Sequence, residues 1–239
     1  MRQDPKEVAE AFSTIASRAD TILFDAGGTI VFPDGARLAR LAGYHNPDAA
    51  ARLSGAWYPT MYAYDEMLLA TGKDWLGGPG ENVWLWFWNQ TASAAELPPL
   101  DEAAVERIMA SNRERTLWDQ TTDEVRDVLS RLHGRFKLAV VSNSDGSVAA
   151  KLADMGLAKY FSVIVDSHVV GISKPDPAIF RFALDPLGSD PARTVYIGDS
   201  YALDCRGAQR AGIHPILLDP LGLHAHRDVD RIARLSELL

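Results

Sequence analysis

Apolar residues gather into short unbroken runs at five places along the chain: Thr21–Phe24, Leu138–Val141, Val163–Val165, Val195–Ile197 and Ile216–Leu218. Runs of three or four residues, rich in Val, Ile and Leu and lacking polar alternation, are the pattern of strands buried on both faces. Between the last four runs the period changes to that of a helix, over Ser147–Met155, Pro177–Leu187 and Ala202–Ala211. A further helix is predicted over Thr122–His133, with Val125, Val128, Leu129 and Leu132 on one side. Thr121-Thr122-Asp123-Glu124 supplies its capping region, with acids in the first turn. Val8, Phe12 and Ile15 fall at helical spacing and predict a short amphipathic helix before the first strand. Strands alternating with helices imply a parallel sheet covered on both faces. The expected fold class is α/β, a doubly wound, Rossmann-like sheet.

The interval between the first two strands is too long for one crossover. It is rich in Ala, Leu, Tyr and Trp at helical spacing, with almost no strand signal. Gly77-Gly78-Pro79-Gly80 and Pro98-Pro99 divide it into several helices. The expectation is a core domain of residues 1–33 and 119–239 with an all-helical domain of residues 34–118 inserted and lying over the strand ends. Val83-Trp84-Leu85-Trp86-Phe87-Trp88 supplies an aromatic core for that insert, with Trp84 and Trp88 on one helix face and Trp86 pointing elsewhere.

Composition narrows the partners. The 239 residues are 47% hydrophobic and 23% charged, with a net charge of −8. This acidic balance disfavours nonspecific attraction to nucleic acid or to an anionic membrane surface. Residues 1–20 lack the apolar stretch of a secretion signal, and no apolar run approaches the roughly 20 residues a membrane-spanning helix needs. One cysteine, Cys205, allows no intrachain disulfide and is read as a small buried residue. A cytoplasmic protein is expected, of undefined oligomeric state.

In an open parallel sheet, ligands bind beyond the carboxyl ends of the strands. Polar residues at those ends are therefore the candidates for chemistry. The first run ends in Asp25-Ala26-Gly27-Gly28-Thr29, and the second in Ser142-Asn143. A loop after the third carries Lys174, in Lys174-Pro175-Asp176-Pro177, and the fourth ends in Gly198-Asp199, with Asp204 on the following helix. Carboxylates, a hydroxyl, an ammonium and glycines converge on one edge. That set suits a phosphate beside a divalent cation: hard oxygen ligands for Mg²⁺, and donors for the phosphoryl oxygens. The glycines allow backbone to approach a ligand closely.

These four motifs, in this order, resemble those of the haloacid dehalogenase (HAD) superfamily of hydrolases, in the subgroup whose helical cap follows the first strand. The resemblance spans residues 25 to 204. It implies that Asp25 is a nucleophile forming an aspartyl-phosphate, that Ser142 bonds a phosphoryl oxygen, and that Lys174 neutralises charge between Asp25 and the phosphate. Gly28 and Asn143 would join Ser142 and Lys174 in holding the phosphate, and Thr29 would orient the first loop. Mg²⁺ would lie on Asp25, Asp199 and the Gly27 backbone carbonyl, with Asp204 behind. The substrate implied is a small phosphorylated metabolite.

The chain departs from the family pattern at Gly27, where phosphatases of this kind usually carry an Asp that protonates the leaving oxygen and later activates water. Three explanations stand: a substrate with a good leaving group such as an acyl phosphate or anhydride; a proton supplied from elsewhere; or a binding protein with weak or no turnover. A 2-haloacid dehalogenase is a further alternative, although that subgroup usually has an aromatic residue at position 27. A phosphonatase-type hydrolase would use a cap lysine as a Schiff base, for which Lys73 is available. Outside the motifs, Asp145 is read as a cap of the next helix, His224 and His226 as a solvated loop, and His168 as a residue sequence alone does not place.

Overall fold

The computed structural model describes residues 18–73 and 82–239. The predicted N-terminal helix and the Gly77–Gly80 punctuation lie outside them. By internal contacts the chain divides into two compact units, one comprising the chain up to Ile30 with Thr121–Leu239, the other Val31–Gln120.

Among the described residues the first unit holds six strands: β1 Thr21–Phe24, β2 Lys137–Ser142, β3 Val163–Asp166, β4 Thr194–Gly198, β5 His214–Leu218 and β6 Asp230–Ile232. They form one parallel sheet in the spatial order β3-β2-β1-β4-β5-β6. Five of the strands are those the apolar runs predict, lengthened by up to two residues at an end. β6 is not predicted, because an edge strand reading Asp-Arg-Ile buries only Ile232. Chain order reverses at β1, which lies between β2 and β4. In sheets of this kind the ligand crevice lies at that reversal, beyond the carboxyl ends.

Successive strand residues face opposite sides of a sheet. Leu23, Ala139, Val141, Val165 and Tyr196 form one apolar layer with Ile179, Phe180, Ala183, Leu184, Ala208 and Ile213. Their alternates Ile22, Phe24, Leu138, Val140, Val195 and Ile197 are equally buried. Burial of both sets means helices cover both faces, as the lack of polar alternation requires. Each Val, Leu, Ile or Phe among them contributes roughly 1.5–3 kcal/mol by leaving water.

The second unit contains α1 Gly35–Ala42, α2 Ala49–Gly55, α3 Trp57–Thr71, α4 Val83–Ala94 and α5 Glu102–Glu114. Asp34, Asn82 and Asp101 cap α1, α4 and α5 by accepting from Arg37, Leu85 and Ala104 backbone N–H groups. The Arg37 guanidinium donates to the carbonyls of Ser111, Arg115 and Thr116 at the end of α5, where unpaired carbonyls concentrate partial negative charge. Phe87 is the hub of the aromatic core, meeting Trp57, Tyr64, Trp84 and Trp88 edge-on at 5.3 to 6.2 Å. Trp88 is buried with it, whereas Trp84 and Trp86 are half-buried. Phe32 and Gln120 exchange backbone hydrogen bonds, closing the unit where the chain enters and leaves it.

The remaining helices belong to the first unit: α6 Asp123–Leu132, α7 Val148–Asp154, α8 Ser167–Val170, α9 Ala178–Leu187 and α10 Arg206–Arg210. α6 is capped by Thr122 and buries Val125, Val128, Leu129 and Leu132, the predicted face. The single helix expected over Ala202–Ala211 instead begins with a π-helical turn, Tyr201–Cys205, before α10. Cys205 N–H reaches back to the Ser200 carbonyl, five residues away.

Candidate active site

Asp25 is the first residue beyond β1, and its backbone N–H donates to the Ile197 carbonyl of β4. The chain then turns sharply, with Thr29 and Ile30 N–H both directed to the Ala26 carbonyl. Gly28 sits in this turn at φ 78°, a left-handed conformation that L side chains rarely adopt. Gly27 is partly exposed and brings no side chain to the crevice. The Thr29 hydroxyl is buried without a hydrogen-bond partner among the described residues, so the turn is held by backbone bonds rather than by that hydroxyl.

Lys174 lies in the loop between α8 and α9. Its side chain is 3% exposed, and its ammonium is bonded to three groups: Asp25 Oδ1 at 2.6 Å, Asp204 Oδ1 at 2.7 Å and the Tyr196 hydroxyl at 2.8 Å. Bonds this short between buried charges are the strong class of hydrogen bond. The loop itself is set by Asn143, whose side-chain amide accepts from Lys174 N–H at 2.8 Å and donates to the Lys174 carbonyl at 3.0 Å. Asn143 was expected on the phosphate. In the structure its amide holds the backbone of Lys174 with one N–H and its oxygen, which leaves a second N–H not used by these two bonds. Ser142 is the buried last residue of β2, next to Asn143.

Asp199 follows β4 and is buried. Asp204 comes round on the π-helical turn, its Oδ2 accepting from Ser200 N–H at 2.9 Å. Gly198 makes room for it: a Cβ there would lie 2.3 Å from Asp204 Oδ2. Carboxylate oxygens of Asp25, Asp199 and Asp204 approach within 4.8 Å of one another, all buried. Three acids against the single ammonium that bridges two of them leave two formal negative charges. Burying such an excess is costly unless a cation offsets it. A divalent ion with a preference for oxygen fits both the charge and the donor type.

Electrostatics follow from this crowding. Burial, with the Asp204 charge adding and Lys174 opposing, pushes the Asp25 carboxyl up to about 6. Burial alone would lower the Lys174 ammonium, but Asp204 and Asp25 together hold it above the ordinary lysine value. Burial and the neighbouring carboxylates push the Tyr196 hydroxyl well above its usual value.

Tyr196 is the residue of this network that the motifs do not mark. Its signal was present in the sequence: a phenol inside the aliphatic run Val195–Ile197 must find a partner for its hydroxyl. Asp166, at the end of β3 and outside this network, is a second residue the motifs do not mark. It accepts from the N–H groups of Gly146, Val148 and His168, and so caps α7 across 18 residues of sequence. Asp145, the expected cap, instead bonds Ser147 and Lys151. His224 is buried rather than solvated, its N–H on Asp219 and its ring stacked on Tyr201. His226, His168 and Lys73 are exposed, and Cys205 is buried.

Similarity to known proteins agrees with this arrangement. A family model described as haloacid dehalogenase-like hydrolase matches residues 19–212, which include all four strand-end motifs. Pyrophosphatase PpaX of Bacillus pumilus is 28% identical over 230 residues, covering 93% of this chain and 96% of that protein. Haloacid dehalogenase-like hydrolase domain-containing protein 3 of Mus musculus is 44% identical over 82 residues, 34% of this chain and 33% of that protein. The matched stretch thus spans about a third of the length of that relative. Among solved structures, the HAD-hydrolase YfnB of Bacillus subtilis, bound to magnesium, superposes with a TM-score of 0.64 at 24% identity over 92% of this chain and 97% of that one. The matched model, covering β1 to β4 and the acids and lysine beyond their ends, establishes that the chain belongs to the haloacid dehalogenase-like hydrolase family.

Proposed function

We propose that the chain is a Mg²⁺-dependent phosphatase of a small phosphorylated metabolite, with Asp25 as nucleophile. The observation that carries this reading is the Lys174 ammonium bridging Asp25 and Asp204, with Asp199 beside them, at the point where the strand order reverses. A carboxylate nucleophile, a fixed cation and an oxygen-rich metal set are what phosphoryl transfer requires. The names of relatives support the same class: PpaX is a pyrophosphatase, and a relative of Methanothermobacter thermautotrophicus, 32% identical over 134 residues, is a glyceraldehyde 3-phosphate phosphatase.

An Asp25 oxygen would form the bond to phosphorus as the bond to the leaving oxygen breaks, giving an aspartyl-phosphate and the free leaving group. Water would then attack the phosphorus, breaking its bond to the Asp25 oxygen and restoring the carboxylate. Inorganic phosphate would leave with the water's oxygen, a proton passing to the phosphate or to solvent. Lys174 holds Asp25 in place and offsets charge on the phosphoryl oxygens, and Ser142 donates to one of them. Held by Asp25, Asp199 and the Gly27 carbonyl, with Asp204 behind, Mg²⁺ would supply further neutralising charge there. The helical unit Val31–Gln120 is proposed as the cap that selects the substrate.

Gly27 bears on which substrates turn over. A positioned acid is typically worth ~10²–10⁴-fold in rate, and position 27 offers none. The reading favoured is therefore a substrate whose leaving group departs without a proton, an acyl phosphate or phosphoanhydride. Phosphate release from a panel of such compounds and of simple esters tests it. Asp25→Asn should lower release roughly 10³-fold or more, as loss of a nucleophile does; unchanged release would sink the proposal. Tight Mg²⁺-dependent binding without release would favour a binding protein, and halide release from 2-halo acids a dehalogenase.

A further inference from the structure

Tyr196 is a buried polar group that the proposed chemistry leaves without a task. It stands on β4, which pairs with β1 on one side, with Leu23 and Tyr196 in register. Its ring is fully buried in the layer formed with Leu23, Ala139, Val141 and Phe180, and it meets Phe180 edge-on at 5.1 Å and 89°. The hydroxyl donates to the Val141 carbonyl of β2 at 2.9 Å. β1 lies between β2 and β4, so the side chain crosses the intervening strand just before Asp25.

The hydroxyl also lies 2.8 Å from Lys174 Nζ and 3.0 Å from Asp204 Oδ1. An ammonium has three N–H groups, and Asp25, Asp204 and Tyr196 account for all three. Two of these partners are charged and pull the ammonium along the line between them. The third is a neutral oxygen, carried by a fully buried ring packed edge-on against Phe180. A phenol offers one hydrogen, here for Val141 or Asp204, and lone pairs that accept from Lys174.

We propose that Tyr196 is a positioning residue, whose hydroxyl oxygen fixes the Lys174 ammonium where it serves Asp25 rather than collapsing onto Asp204. This rests on the reading of Asp25 as nucleophile. A lysine has four rotatable bonds, and two carboxylates alone leave its head free to shift between them. The phenol turns a two-point contact into a three-point one, and it ties that contact to the ends of β2 and β4.

Tyr196→Phe keeps the ring and removes only the oxygen. In the full-length protein it should lower kcat roughly ten- to a hundredfold, the range spanned by a hydrogen bond to a charged group, with KM within about twofold because the substrate does not touch Tyr196. A second readout does not depend on turnover. Nitrogen-15 NMR of the lysine side chains should show one slowly exchanging ammonium signal, assigned by its loss in Lys174→Met. In Tyr196→Phe the hydrogen exchange of that signal should accelerate roughly tenfold or more. A wild-type kcat with an unchanged ammonium signal would overturn the proposal. If Tyr196→Phe does not fold, 3-fluorotyrosine incorporation retains the hydroxyl and weakens its oxygen as an acceptor; unchanged exchange of the Lys174 signal then overturns it equally. Should Asp25→Asn release phosphate like wild type, the catalytic reading falls alone, and the ammonium measurement still decides the placement of Lys174.

Discussion

At the scale of single residues, the site is a problem of crowded charge solved by one cation. Lys174 touches Asp25 and Asp204 at 2.6 and 2.7 Å, and every group involved is buried. Gly198 and Gly27 are both residues without a side chain at this edge, for different reasons. At Gly198 the missing Cβ is filled by the Asp204 carboxylate. At Gly27, on the proposed chemistry, the missing side chain would leave the leaving group without an acid. Gly27→Asp should therefore raise phosphate release from simple esters by roughly 10²-fold or more, and by clearly more than it raises anhydride release. Only poor leaving groups need the proton, while both substrate types share the hydrolysis of the aspartyl-phosphate. Parallel kinetics on the two substrate types check this, and an equal gain on both would refute the leaving-group argument. Asp25, Ser142 and Asp199 stood out in the sequence because each ends or follows an apolar run, and Lys174 and Asp204 because they lie in motifs downstream of such runs. Tyr196 and the clamp by Asn143 were not, since nothing local says which group a phenol or an amide will meet.

Secondary-structure elements were legible where a local rule suffices. α6 formed as predicted because its cap, first-turn acids and apolar face all lie within a dozen residues. Thr122→Ala should cost about 1 kcal/mol, the usual worth of a side-chain cap, read as a lowered midpoint in urea with an unchanged slope. No change in midpoint would mean that packing alone holds α6. The rule failed at Tyr201–Cys205, where propensity suggests an ordinary helix. There the π-helical turn accompanies an Asp204 directed at Lys174 and Ser200 N–H, partners set by the tertiary fold. α7 likewise takes its N-terminal capping from Asp166 on β3, not from the neighbouring Asp145.

For the whole molecule, the strand order β3-β2-β1-β4-β5-β6 is the decisive fact, because it brings Asp25 and Asp199 side by side at one crevice. Among the described residues no helix is long and apolar enough to cross a membrane. Folding itself should report on the site's charge. The Asp25 carboxyl is raised to about 6 chiefly by burial, so the metal-free fold binds that proton more tightly than the unfolded chain does. Its contribution to stability is complete below the ordinary carboxylate range and is lost as pH rises through about 6. Mg²⁺ requires the ionised carboxylates, so its effect runs the other way. Above pH 6, Mg²⁺ at a hundredfold excess over Kd should stabilise the fold by about 2.7 kcal/mol, a rise in Tm of roughly 5–10 °C. That rise should shrink as pH falls below 6. Thermal unfolding with and without Mg²⁺ at pH 5 and pH 8 measures it, and a pH-independent shift would show that the ion binds elsewhere.

The sequence alone determined the elements and the catalogue of chemistry: five buried strands from their unbroken apolar runs, the covered helix faces from their period, and the acids and lysine from their places after those strands. These are signals carried by residues within a few positions of one another. Tertiary structure alone decided the contacts that make them a site. Lys174 meets Asp25 across 149 residues, and Tyr196 meets Val141 across 55. Such pairings are set by strand order and by which face each side chain takes, and neither leaves a periodic trace in the chain. For the same reason β6 stayed hidden: an edge strand that buries one residue has no pattern of its own, and exists only because β5 is there to pair with.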